Sequence, residues 1–264
     1  MEKNHRLTLF LWLEGLFPKA VAYFLLVKGL VDSPAQMYEG RTNDARLEIR
    51  VISFNGTGFE IDDPQDPKPP GKSSPCLRVT NENDPNDITW VHESTSIVRF
   101  LEETFPQKTH MISNKALERA NTNDCLASVY SGISDCNYYI KNAAGVTTIW
   151  SGIQNEDRSL PIASHAKKCM TQSFKKVQEW AAQSLQASGW LTVGVEGPGL
   201  IDVCLAAAVR YMELSYSLNI LEDPMLEPLC EWYTRFKLLP WWEEYEERGR
   251  HPKEMSYPAS CREI

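Results

Sequence analysis

The chain has 264 residues, 42% hydrophobic and 23% charged, which is enough apolar material for one large core or two modest ones at roughly 100–200 residues per domain. Intrinsic disorder is excluded as the main state. With 35 acidic against 27 basic side chains and a formal charge of -8, general attraction to phosphate backbones or anionic bilayers is excluded too, so neither nucleic acid nor membrane is an expected partner. Seven cysteines (Cys76, Cys125, Cys136, Cys169, Cys204, Cys230 and Cys261) are scattered, odd in number and without a CxxC pair. They imply neither a disulfide framework nor a bound metal, and a reducing cytoplasm is the expected compartment. The short apolar run in Met1–Leu13 is broken by Glu14 with no small-residue cleavage site after it, so no signal peptide is expected. Ala20–Val27 falls well short of the roughly 20 residues needed to span a bilayer.

In chain order, Leu7–Trp12 reads as a buried strand, stopped by Glu14-Gly15. Pro18 suits a first helical turn, and Lys19–Lys28 carries an apolar face that Gly29 terminates. Leu47–Phe54 predicts a second strand, and the Asp-, Pro- and Gly-rich segment 56–72 reads as loop. Cys76–Val79 and Ile88–Val91 predict a hairpin turning through Asn81–Asp87, followed by a helix over Ser94–Thr104. After the linker from Phe105 to Ser113 no convincing strand remains, and Lys115–Asn142, Ile162–Leu185, Leu200–Leu218 and Pro228–Glu247 all read helical. The expected class is therefore α/β followed by all-α, with domains over residues 1–106 and 113–264.

Three blocks carry a resemblance. The first is Ser74-Pro75-Cys76-Leu77, then Ile88–Ser94, then Ile97–Pro106; the second is Gly199-Leu200-Ile201-Asp202-Val203-Cys204; the third is Leu229–Lys237 followed by Pro240. In these the chain resembles the glutathione transferase superfamily, with residues 35–70 and 143–165 matching weakly. The resemblance implies an N-terminal thioredoxin-like domain, a C-terminal helical bundle, glutathione as cofactor and a homodimer. The divergent first helix, the long Asp/Pro segment and the weak middle resemble fungal members that tailor a secondary metabolite.

For glutathione binding the resemblance points to Ser74, Pro75, Glu93 and Ser94. A cis Pro75 would turn the Ser74 backbone outward to pair, strand-fashion, with the cysteinyl part of an extended peptide. Ser94 and the neighbouring N–H groups would hold the γ-glutamyl carboxylate while Glu93 pairs with the ammonium. Asp202 reads as structural, a carboxylate reaching back to its own helix start, with half of the capping box lost because Gly199 replaces the usual Ser or Thr.

The family's thiol-activating side chain is missing. The Ser or Cys of some classes should fall at or beside Gly15, and Leu16 and Phe17 also lack a hydroxyl or thiol; the Tyr of other classes would align with Leu11, Trp12 and Leu13. Glu14 reads as a solvated turn residue, since a carboxylate would raise the thiol pKa. Three explanations stay open. Backbone N–H groups around Gly15, Leu16 and Phe17 and the helix dipole lower the thiol pKa alone; or a group on the first long helix intrudes, the candidates being Ser128, Tyr130, Ser134, Asn137 and Tyr138; or glutathione is bound without activation or not at all. The expected activity is addition of the glutathione thiol to a hydrophobic electrophile. The alternatives are cis–trans isomerisation of a conjugated olefin by reversible addition, and a non-catalytic adaptor.

Overall fold

The computed structural model describes residues 5–54, 59–61, 65, 66, 68, 71, 73–246, 251 and 256. The chain divides into two compact units, Met1–Met111 with Leu239–Pro252, and Ile112–Leu238 with Lys253–Ile264.

The first unit is built on β1 (His5–Leu11), α1 (Leu16–Lys28), α2 (Pro34–Tyr38), β2 (Leu47–Phe54), β3 (Phe59–Ile61), β4 (Cys76–Asn81), β5 (Asp84–Val91) and α3 (Ser94–Thr104). Among the described residues the strands form one sheet in the order β3-β2-β1-β4-β5. β1 runs parallel to β2 and antiparallel to β4, and β4 pairs antiparallel with β5. The two-residue side-chain period puts Leu7, Leu9 and Leu11 on one face with Leu47, Ile49, Leu77 and Val79, all of them buried. On the opposite face Thr8 lies level with Glu48 and Arg78, and an ion-pair network stands beside the buried Phe10 ring. There Arg78 grips Asp66 with two nitrogens at 2.7 and 2.6 Å, and Arg50 pairs with Glu48 at 2.8 Å.

That grip has a consequence in acid. The Arg78 guanidinium holds the Asp66 carboxyl below its usual range. A depressed carboxylate stabilises the fold above its unfolded pKa of about 3.9, and the contribution disappears as pH falls through the lower folded value. Asp66→Asn should therefore be less stable than the parent near neutrality, with the difference vanishing in strong acid. Urea midpoints measured across pH check this, and a constant difference would refute it.

Several expectations are corrected here. The segment 56–72, expected as loop, contributes β3 to the sheet edge, pairing Ile52 with Ile61. The hairpin turn is Glu82-Asn83 rather than Asn81–Asp87; β5 begins at Asp84, on an exposed edge where Pro85 removes no needed donor. α2 was missed, although Ser33 accepts from the Gln36 N–H and Pro34 occupies the first turn. α1 starts three residues earlier than expected and ends as expected, with Gly29 in the left-handed region at φ 73°.

The second unit contains α4 (Ala116–Ala143), α5 (Thr148–Ser151), α6 (Leu160–Trp180), α7 (Ala182–Ser188), α8 (Leu200–Tyr216) and α9 (Glu227–Phe236). α4 and α6 pack along their lengths. Gly132 permits this, because a Cβ there would lie 2.5 Å from the Phe174 ring. α8 is buried without interruption from Leu200 to Val209 and forms the centre of the unit. The weakly matching middle is organised by Arg158, whose guanidinium donates to Lys141 O, Gly145 O, Ile153 O, Thr147 Oγ1 and Thr148 Oγ1.

Two long helical expectations are each divided. Ile162–Leu185 breaks at Ala181. Pro228–Glu247 stops at Phe236, because Pro240 cannot continue a helix, and a further short helix, α10 (Trp242–Tyr245), follows.

Asp202 is wholly buried and accepts five hydrogen bonds, from the N–H groups of Leu191, Thr192 and Gly199, the Thr192 hydroxyl and the Trp232 indole. Burial pushes its carboxyl above the usual range, and these donors oppose that only in part. The cap that Gly199 cannot supply comes from Thr192, whose Oγ1 accepts from the Ile201 N–H at 3.0 Å. A Cβ on Gly199 would fall 2.5 Å from Thr192, so the glycine makes room for the substitute.

Candidate functional site

Sheet register brings the expected binding residues to one end of the sheet. Phe10 lies opposite Cys76 and Leu77 opposite Val91, so β1 ends, β4 begins and β5 ends at the same end of the sheet. From it α1 and α3 depart with their N-termini close to the strand ends, where unsatisfied N–H groups and the positive ends of the helix dipoles gather.

The Ser74–Pro75 peptide is cis. The Ser74 hydroxyl accepts from the Trp12 N–H at 2.9 Å, which ties the start of β4 to the end of β1. Among the described residues no backbone hydrogen bond engages the Ser74 main chain. Its N–H and C=O therefore stand just beyond the start of β4 as an open donor and acceptor. Pro75 is buried.

At the second corner Glu93 is the N-cap of α3 and makes no side-chain cap, so the N–H groups of Ser94, Thr95 and Ser96 lack intrahelical partners. Ser94 is only 6% exposed, and Glu93 beside it is exposed. A buried hydroxyl, three N–H groups and a carboxylate thus lie within four residues, a set chemically able to meet both charges of a zwitterion.

The third corner is the start of α1. Gly15 is the N-cap with no side chain to offer, and no hydrogen bond engages the Leu16 and Phe17 N–H groups among the described residues. A Cβ at Gly15 would meet Trp12 Cε3 at 2.6 Å and Cζ3 at 2.9 Å, so the Trp12 ring already fills the space. Gly15→Ser is expected to cost about 1–3 kcal/mol through overpacking. Combined with Trp12→Ala it should cost less than the two single changes added, a coupling that a double-mutant thermal melt reads directly.

Glu14, expected as a solvated turn residue, is instead half-buried and accepts from the Tyr38 hydroxyl at 3.2 Å. Of the helical candidates, the Ser128 hydroxyl donates to Ser173 O at 2.8 Å and so serves the α4–α6 packing. The Tyr130 hydroxyl lies 3.4 Å from Cys204 Sγ. Asn137 is half-buried, while Ser134 and Tyr138 are exposed. Among the described residues no group of His, Cys, Asp and Glu is arranged to hold a metal, and no helix is long and apolar enough to cross a membrane.

No protein-family model matches the sequence, and no curated protein matches it. Solved structures do match. Maleylacetoacetate isomerase from Anaeromyxobacter dehalogenans 2CP-1 aligns at TM-score 0.60 and 15% identity over 97% of this chain and 99% of its own. A second structure of that enzyme, aligned at TM-score 0.57 and 16% identity over 92% of this chain and 96% of its own, has GSH in the active site. A glutathione transferase family member from Pseudomonas fluorescens Pf-5, solved with S-(propanoic acid)-glutathione, aligns at 0.57 and 16% over 90% of this chain and 98% of its own. With an α/β unit of thioredoxin-like strand order, a helical unit and these alignments, the chain has the glutathione transferase fold.

Proposed function

We propose that the chain is a glutathione-dependent enzyme that adds the glutathione thiol to an electrophilic small molecule in an apolar pocket. The observation that carries this reading is the gathering, at one end of the sheet, of an open Ser74 main chain, a buried Ser94 at an uncapped helix start and the bare N–H groups of Leu16 and Phe17. Three parts of one tripeptide find three matching partners. Ser94 and the α3 N–H groups take the γ-glutamyl carboxylate, and Glu93 takes its ammonium. Ser74 pairs with the cysteinyl backbone, leaving the thiol toward the start of α1.

A free thiol has a pKa of about 8.5, and helix N-termini lower such values. With Ser128 committed to packing and Trp12 filling the side-chain position, the backbone route is the favoured source of activation here. The thiol releases its proton to solvent, the sulfur forms a bond to the electrophilic carbon, and the displaced electron pair leaves with a leaving group or takes up a proton. A persistent adduct makes the protein a transferase. If the adduct is an enolate that rotates and expels the thiolate, the net reaction is cis–trans isomerisation with glutathione regenerated; the alignment with an isomerase over nearly the whole chain supports keeping that second reading. The fungal resemblance supports a secondary metabolite as substrate, and the fold family supports a homodimer. Six free cysteines among the described residues accord with the cytoplasm.

Calorimetric titration of glutathione into the full chain tests the reading. Saturable binding is expected; its absence at millimolar ligand would overturn it in favour of an adaptor. With an active electrophile, stoichiometric consumption of glutathione identifies a transferase, and product formed without consumption identifies an isomerase.

A further inference from the structure

The start of α1 is held by a segment from the far end of the chain. After α9 the stretch Leu239–Pro252 joins the first unit. There the Tyr245 hydroxyl, buried, donates to Leu13 O at 2.5 Å. Its ring stands edge-on to Tyr23 at 5.4 Å and 6.5 Å from Tyr38, whose own hydroxyl reaches Glu14. Glu246 accepts from Lys19 at 2.8 Å and from the Tyr23 hydroxyl at 2.5 Å, the Lys19 and Glu246 side chains being 3% and 4% exposed. Glu244 accepts from the Ala35 N–H at the start of α2. A buried ammonium in the first turns of a helix opposes the helix dipole, so the carboxylate of Glu246 is needed where it stands. The contacts converge on the loop Leu13-Glu14-Gly15 and on the first turns of the helix that follows it.

We propose that Trp241–Glu246 is a strap that positions this loop, with Tyr245 as the positioning residue that sets the Leu16 and Phe17 N–H groups for the ligand thiol. The thiol half of this inference rests on the function proposed above. The strap half stands on the contacts alone.

The variant is Tyr245→Phe in the full chain, which removes the bond to Leu13 O and leaves the aromatic packing. Hydrogen exchange without ligand tests the strap through two bonded amides, Gly15 N–H to Trp12 O and Lys19 N–H to Gly15 O. Exchange at both is expected to quicken about tenfold, the equivalent of roughly 1.4 kcal/mol. Tyr23→Phe, which loses a hydroxyl to Glu246 but leaves Leu13 O engaged, should not reproduce it. The second readout is the pH titration of the thiolate absorbance of bound glutathione, which should move to higher pH in Tyr245→Phe as the N–H groups lose their aim. Unchanged exchange overturns the strap, and an equal effect from Tyr23→Phe overturns Tyr245 as its positioning residue. Faster exchange with an unmoved titration overturns the positioning role while leaving the functional reading intact. A parent protein that binds no glutathione overturns the functional reading and the positioning role with it, while exchange still decides whether the strap holds the loop.

Discussion

Asp202→Asn is expected to lower the stability of the helical unit by about 3 kcal/mol and its melting temperature by about 10 °C, taking 2–4 °C per kcal/mol for a unit of this size. The carboxylate receives five donors and sits at zero exposure. An asparagine keeps one accepting oxygen and turns an amide NH2 toward donors that need an acceptor. Whichever way the amide is flipped, at least two buried donors are stranded, Leu191 N–H with the Trp232 indole on one side or Gly199 N–H with Thr192 on the other. Each charged-acceptor bond lost is worth about 1.5–3 kcal/mol, partly recovered by relaxation. Thermal melts followed by circular dichroism give the answer, and a fall smaller than about 3 °C would show that the carboxylate is not the organising acceptor.

Ser94→Ala should weaken glutathione binding by about 10- to 100-fold, from loss of a hydrogen bond to a carboxylate worth about 1.5–3 kcal/mol. The stability of the protein should hardly change, because the hydroxyl caps nothing in its own helix. The separation of the two effects is the diagnostic part. A residue that merely supports the fold would lower the melting temperature along with the affinity. Calorimetry and a melt on the same sample distinguish the cases, and an affinity within about twofold of the parent would remove Ser94 from the site.

Much of the architecture was legible locally. Leu47–Phe54 and Ser94–Thr104 were read to the residue because alternation and helical periodicity are local and their ends are marked, by a Gly-rich break and by Pro106. Ser74-Pro75 and Glu93-Ser94 are local signals too, and they fall at the start of β4 and at the start of α3. The weakest reading was the segment 56–72, where loop composition concealed β3; the pairing that makes it a strand comes from β2.

What sequence alone determined, then, is the class of the two units, since strand alternation and helical periodicity depend on neighbours a few residues away. What only the tertiary structure decided are effects of residues far apart: the Trp12 ring that explains why Gly15 must be bare, the Thr192 hydroxyl that replaces a cap at Gly199, and the Tyr245 hydroxyl on Leu13 O. A hydrogen bond or a steric exclusion of this kind is fixed by where the chain returns in space, and no periodicity in the sequence encodes the distance between residue 13 and residue 245.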